Sequence, residues 1–133
     1  MLDNTITLAV DVLNNGTAVN KVFSRHDDSM PNRSRYISDT HSLVSRDMID
    51  FYRTPPKKSG NFNGVAKTGF KFTIDQIVPA VDASDIVAPQ IAEVSFSLPI
   101  GFTTAQLIVL RQRIISLLDN DALMKRLNEQ QEV

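Results

Sequence analysis

Cysteine is absent from the 133 residues. The chain therefore has no disulfide framework, no thiolate zinc site and no cysteine nucleophile. No apolar run approaches the ~20 residues of a membrane span. The first ten residues, MLDNTITLAV, carry neither a basic stretch nor an unbroken apolar core, so no secretory signal peptide is expected. There is no Gly-rich phosphate loop, no nucleophile elbow and no H-E-x-x-H. Internal repeats and low-complexity tracts are also missing. At this length the chain is expected to form one domain, residues 1–133.

Net charge is nearly absent too, at −1, which by itself argues weakly against a nucleic-acid partner. The distribution argues the other way. Between Asp50 and Asp75 no acidic residue occurs, while Arg53, Lys57, Lys58, Lys67 and Lys71 all fall there. Removing those five from the 14 basic residues leaves nine against 15 acidic ones, about −6 for the rest. A locally basic surface on a mildly acidic protein, or a solvated hairpin with ordinary lysines, would each account for this split.

What is present reads as strands followed by helices. Thr5–Val12 and Thr17–Phe23 flank an Asn-Gly turn, a strong hairpin signal, so residues 1–24 are expected to form a hairpin. Ser24–Ser34 reads as a polar loop, Arg35–Ser38 as a short strand and Leu43–Thr54 as a longer one. In the longer strand Leu43, Ile49 and Phe51 share one face, with Arg46, Asp50, Tyr52 and Thr54 on the other. Pro55-Pro56 ends it, and Lys57–Gly64 is a turn. In Val65–Asp75, Phe70, Phe72 and Ile74 alternate with Lys67, Gly69, Lys71 and Thr73. Gln76–Gln90, with Pro79, Pro89 and two aspartates, reads as a long inter-strand loop containing at most a short strand.

Val94, Phe96 and Leu98 then alternate with Glu93, Ser95 and Ser97, which marks a strand with one dry and one wet face. Pro99 and Gly101 break it. Thr103 and Gln106 have capping-box spacing, and Leu107, Leu110, Ile114, Leu117 and Leu118 follow with helical period. Asp119–Asp121 supplies acceptors for a second, shorter helix, giving a helix pair over 103–128. The fold class is α+β: a hairpin, an antiparallel meander over 33–98 and two C-terminal helices. With helices on one side only, a sheet face bearing Tyr52, Thr54, Lys67, Lys71, Glu93, Ser95 and Ser97 is expected to stay open. Such a face suits a nucleic-acid backbone and an unstacked base.

This order of elements, with VSFSLPIGFTT before a Leu-rich helix and FYRTPPKKSGNFNGVAKTGFKFTID as paired central strands, resembles the coat proteins of single-stranded RNA bacteriophages, the levivirus group. The resemblance implies an intertwined homodimer with a ten-stranded sheet, helix pairs clasping the partner, and a quasi-symmetric icosahedral shell around the genome. It implies a structural, non-enzymatic protein of the virion, assembled in the bacterial cytoplasm, with no cofactor, metal or membrane. It places Tyr52, Arg53, Lys57, Lys58, Lys67, Gly69, Lys71, Glu93 and Ser95 toward RNA, with Tyr52 as the base-stacking candidate and Lys71 on phosphate. Gly69 stands where the family often carries a side chain able to touch RNA. Phe96, Leu107, Leu110, Ile114 and Leu117 fall at the implied dimer interface. The 76–90 segment corresponds to a loop that takes different paths at the symmetry axes, and a genomic hairpin that represses replicase translation is a further implied ligand.

Two other readings stand beside it. One is a dimeric α+β module for single-stranded nucleic acid or a small ligand that forms no shell. The other is an enzyme using His26-Asp27-Asp28 with His41, but these lack ligand spacing. Asp47 and Asp50, three apart in a strand, point to opposite faces and cannot act as paired carboxylates.

Overall fold

The computed structural model describes residues 1–132. Six strands precede two helices: β1 (Thr5–Val10), β2 (Val19–Asp27), β3 (Arg33–Ser38), β4 (Asp47–Thr54), β5 (Val65–Pro79), β6 (Asp85–Pro99), α1 (Thr104–Leu118) and α2 (Asp121–Asn128). The strands form one sheet in the order β1-β2-β3-β4-β5-β6, so each strand neighbours the one before it in sequence. The chain divides into two compact units, the strands (Met1–Leu98) and the segment from Pro99 onward.

Alternation decides which residues meet on each side of the sheet. Cross-strand pairs Ile6↔Phe23, Tyr36↔Ile49, Ile49↔Phe72 and Phe51↔Phe70 put the apolar side chains on one face. Phe23, Tyr36 and Ile49 are buried there, with Ile6, Leu8, Phe51, Phe70 and Phe72 packed around them. Tyr36 meets Phe51 edge-on at 5.4 Å between ring centroids, and Phe70 meets Phe72 likewise at 5.8 Å. Such edge-to-face pairs are each worth ~0.5–1.5 kcal/mol beyond their buried area. The Tyr36 hydroxyl donates to the Asp3 carbonyl at 2.6 Å and accepts from Arg25, tying the N-terminal segment to this face.

Three expectations need correction. Ser24–Ser34 is not a loop: β2 runs on to Asp27 and β3 begins at Arg33. Arg25 pairs with Tyr36 and Asp27 with Arg35 on these two interior strands, and composition alone made the segment look unstructured. Leu43 is not in a strand; it is fully exposed in the connection before β4, which begins at Asp47. Gln76–Gln90 is not a long loop. β5 and β6 each run 15 residues, joined only by residues 80–84. Asp82 closes that turn by accepting from the Ser84 backbone N–H at 3.1 Å, and Ala80 and Ser84 complete it at 2.7 Å. Ile77, Val78, Ile86 and Val87 supply β propensity. Pro79 ends its strand, and Pro89 is tolerated because β6 is the outermost strand.

The Asn-Gly connection is also wider than a two-residue turn. Positive φ falls on Asn14 and Gly16, and the Asp11 carboxylate accepts from the backbone N–H groups of Asn15 and Gly16. The helical segment follows its sequence closely. Gly101 takes a φ of 105°, and the Thr103/Gln106 capping box forms in both directions at 3.2 and 2.9 Å. Asn120 caps α2 by accepting from the Leu123 N–H. Neither helix contains a buried residue. Leu107 and Ile114 are half-buried, whereas Leu110 (38%) and Leu117 (52%) remain exposed.

Candidate nucleic-acid interface

The second sheet face is polar, and its residues fall in two rows across the strands. Arg33 pairs with Tyr52 and Tyr52 with Gly69, while Asp27 pairs with Arg35, Arg35 with Asp50 and Asp50 with Lys71. Thr54 pairs with Lys67 at the end of β4. Residues paired in this way carry side chains on the same side of the sheet.

Tyr52 reaches across β5. Its hydroxyl donates to the Glu93 carboxylate on β6, passing over Gly69. A Cβ on Gly69 would lie 2.4 Å from the Tyr52 hydroxyl and 2.8 Å from the Val94 carbonyl oxygen, so only glycine leaves room for this bridge. Glu93 accepts the hydrogen bond and adds its negative charge, and together these raise the Tyr52 phenol above its ordinary value. The phenol is thus held as a neutral donor. Ser95, two residues beyond Glu93, lies on the same face and is exposed.

Among the described residues Asp50 is the one buried charge on this face, its side chain 3% exposed. Arg33 Nη2 reaches it at 2.6 Å, and Arg35 reaches it with Nε at 2.8 Å and Nη2 at 3.3 Å. Burial alone would raise the Asp50 carboxyl, but the Arg35 and Arg33 hydrogen bonds and charges outweigh it and hold the group below its ordinary value. On the apolar face Asp47 has its own partners: Lys21 at 2.6 Å, Ser38 at 2.7 Å and Thr40 at 3.0 Å. The two aspartates lie on opposite faces, as their spacing requires.

Of the residues expected to face RNA, Tyr52, Lys67, Gly69, Lys71, Glu93 and Ser95 share this face. Arg53 does not: alternation places it opposite Thr68 on the other side, where its Nε donates to Asn32 at 3.3 Å. Lys57 and Lys58 lie in the connection after β4 rather than on the strands. Among the described residues, Lys57, Lys58, Lys67 and Lys71 form no ion pair. Sequence reasoning missed Arg33 and Arg35. The available signal was their separation by two beside the β-rich Tyr36-Ile37, and reading the segment before Arg35 as a loop hid it. His26 is exposed, and His41 Nδ1 accepts from the Asp47 backbone N–H at 3.1 Å. Among the described residues no group of three or more His, Cys, Asp or Glu is placed to hold a metal. Among the described residues no helix is long and apolar enough to cross a membrane.

Phe96 projects to the apolar face, where with Phe51, Phe70 and Arg25 it lines an open groove of about 670 Å³.

By sequence, no protein-family model and no curated protein matches the chain. Solved structures do. The chain is similar to the virus-like particle of bacteriophage AVE019, at 16% identity over 96% of this chain and 95% of that one, with a TM-score of 0.73. It is similar to the virus-like particle of Beihai levi-like virus 32, at 18% identity over 85% and 88%, with a TM-score of 0.72. The bacteriophage GA capsid protein superposes at a TM-score of 0.62, with 16% identity over 96% and 94%. The six-stranded antiparallel meander followed by a capped helix pair is the fold of the RNA-phage coat proteins.

Proposed function

We propose that this chain is the structural capsid protein of an RNA bacteriophage: it dimerises, assembles into an icosahedral shell and binds genomic RNA on the polar face of its sheet. The observation that carries this reading is the division of the sheet. One face carries lysines without ion-pair partners, an aromatic phenol and a paired carboxylate. The other carries apolar side chains around an open groove, and the helices carry exposed leucines and isoleucines. Apolar area of this kind contributes ~25 cal/mol per Å² when covered, which favours association.

In the dimer, the apolar edge of α1 (Leu107, Leu110, Ile114, Leu117) and the Phe96 groove are covered by the partner chain. On the polar face Lys71 and Lys67 neutralise phosphates. Tyr52 offers a ring for base stacking, worth ~1–3 kcal/mol per base. Glu93 and Ser95 read base edges, since an ionised carboxylate accepts only and selects an amino donor. A hairpin of the genome is the most selective ligand such a face takes, and binding it is the route to repression of replicase translation. The shell forms in the host cytoplasm around that RNA.

The experiment is sedimentation of the protein expressed in bacteria, with the ultraviolet spectrum of the fast fraction. Uniform particles with a nucleic-acid spectrum are expected. A stable species of about 30 kDa, twice 14.8 kDa, that binds RNA but never assembles would favour the non-assembling binding module.

A further inference from the structure

The geometry points to Arg33 and Arg35 as a second phosphate clamp for single-stranded RNA, with Asp50 as the residue that positions both guanidiniums. This rests on the RNA-binding reading and carries the interface from β4–β6 onto β3.

Both arginines project from the polar face, paired with Tyr52 and Asp50 respectively. Their side chains are 41% and 38% exposed, while the carboxylate between them is 3% exposed. A buried carboxylate between two half-exposed guanidiniums is a poor use of charge if stability is its only purpose, since desolvation cancels much of the attraction. As a positioning device it has a clear effect. Arg33 spends one N–H on Asp50 and Arg35 spends two, of the five that each carries. The remaining donors stay in a fixed fork suited to a phosphate. Two positive groups on one negative leave net positive charge, and Lys71 stands on the far side of Asp50 in the same row. Asp27, the other carboxylate in that row, accepts from the Ser29 N–H at 2.9 Å and acts on Arg35 through its charge alone, so it is Lys71 that makes the cluster net positive. Fixing the guanidiniums in advance removes the rotamer cost of ordering them on binding.

The test is salt-dependent binding of a short oligouridylate to purified, unassembled protein. Arg33→Gln with Arg35→Gln should reduce the slope of log affinity against log salt by about 1.4, since each single-strand phosphate contact contributes about 0.7. Asp50→Asn removes one negative charge yet should weaken binding roughly fivefold to tenfold, because the two side chains are no longer held. Tighter binding by Asp50→Asn would overturn the clamp. Should the Gln pair fail to fold, Arg33→Lys with Arg35→Lys keeps the charge. It should keep the slope and lose several-fold in affinity, and unchanged affinity would contradict the inference. Wild-type protein that binds no oligouridylate removes the RNA-binding reading itself. A slope that falls with Lys71→Ala but not with the Gln pair overturns only the clamp.

Discussion

Gly69 shows how much one missing side chain can determine. It lets the Tyr52 phenol cross a strand to Glu93, and a methyl group there would press on both the phenol and the Val94 backbone oxygen. Gly69→Ala should therefore cost ~1–3 kcal/mol in urea unfolding. A Tyr52→Ala background should relieve only part of that cost, because the Val94 carbonyl cannot swing aside. Asp50 gives the pH prediction. Its carboxyl, and that of Asp47, lie below the ordinary value in the folded chain. The stability they contribute is thus present above the ordinary carboxylate pKa, near 3.8, and is lost as pH falls through the depressed folded values. Asp50→Asn should lower the neutral plateau of a stability–pH curve and flatten its acid limb, so that variant and wild type converge as pH falls below that value. Asp50→Ala should cost roughly 2 kcal/mol at neutral pH, since the arginines are exposed enough for water to recover part of the loss.

At the scale of elements, legibility followed the strength of local pattern. The starts of α1 and α2 were readable because their signals are local: the Gly101 break lies beside the Thr103–Gln106 box, and Asn120 caps α2 through the nearby Leu123 N–H. Thr103→Ala should accordingly cost ~1 kcal/mol by thermal unfolding. The phenylalanine alternation of β5 identified its faces directly. The long β5–β6 ribbon was not legible, because Pro79 and Pro89 mark loops in most contexts and only the edge position of β6 explains them. The polar face was half legible. Lys67, Lys71 and Tyr52 stood out by charge and alternation, but a run of nearby lysines does not reveal which of them leave the sheet. Arg53 is close in sequence but on the opposite face, and Lys57 and Lys58 lie in the connection after β4. Arg33 and Arg35 joined the polar face through a pairing that only the β3–β4 register discloses.

The whole molecule is organised by sidedness. The sheet has one apolar and one charged face, and the helices leave leucines exposed; under the proposed function a second copy covers this apolar surface. Leu110→Asp should abolish the dimer in size-exclusion chromatography, because a charge would be forced into an apolar contact without a partner. A soluble folded dimer from that variant would refute the proposed packing. The most direct measurement for the account as a whole is an electron-microscopic reconstruction of the expressed protein. It should show closed icosahedral particles in which the face bearing Lys71, Tyr52 and Arg35 lines the interior against nucleic-acid density. Particles with that face outward, or only small soluble species at every salt concentration, would contradict it.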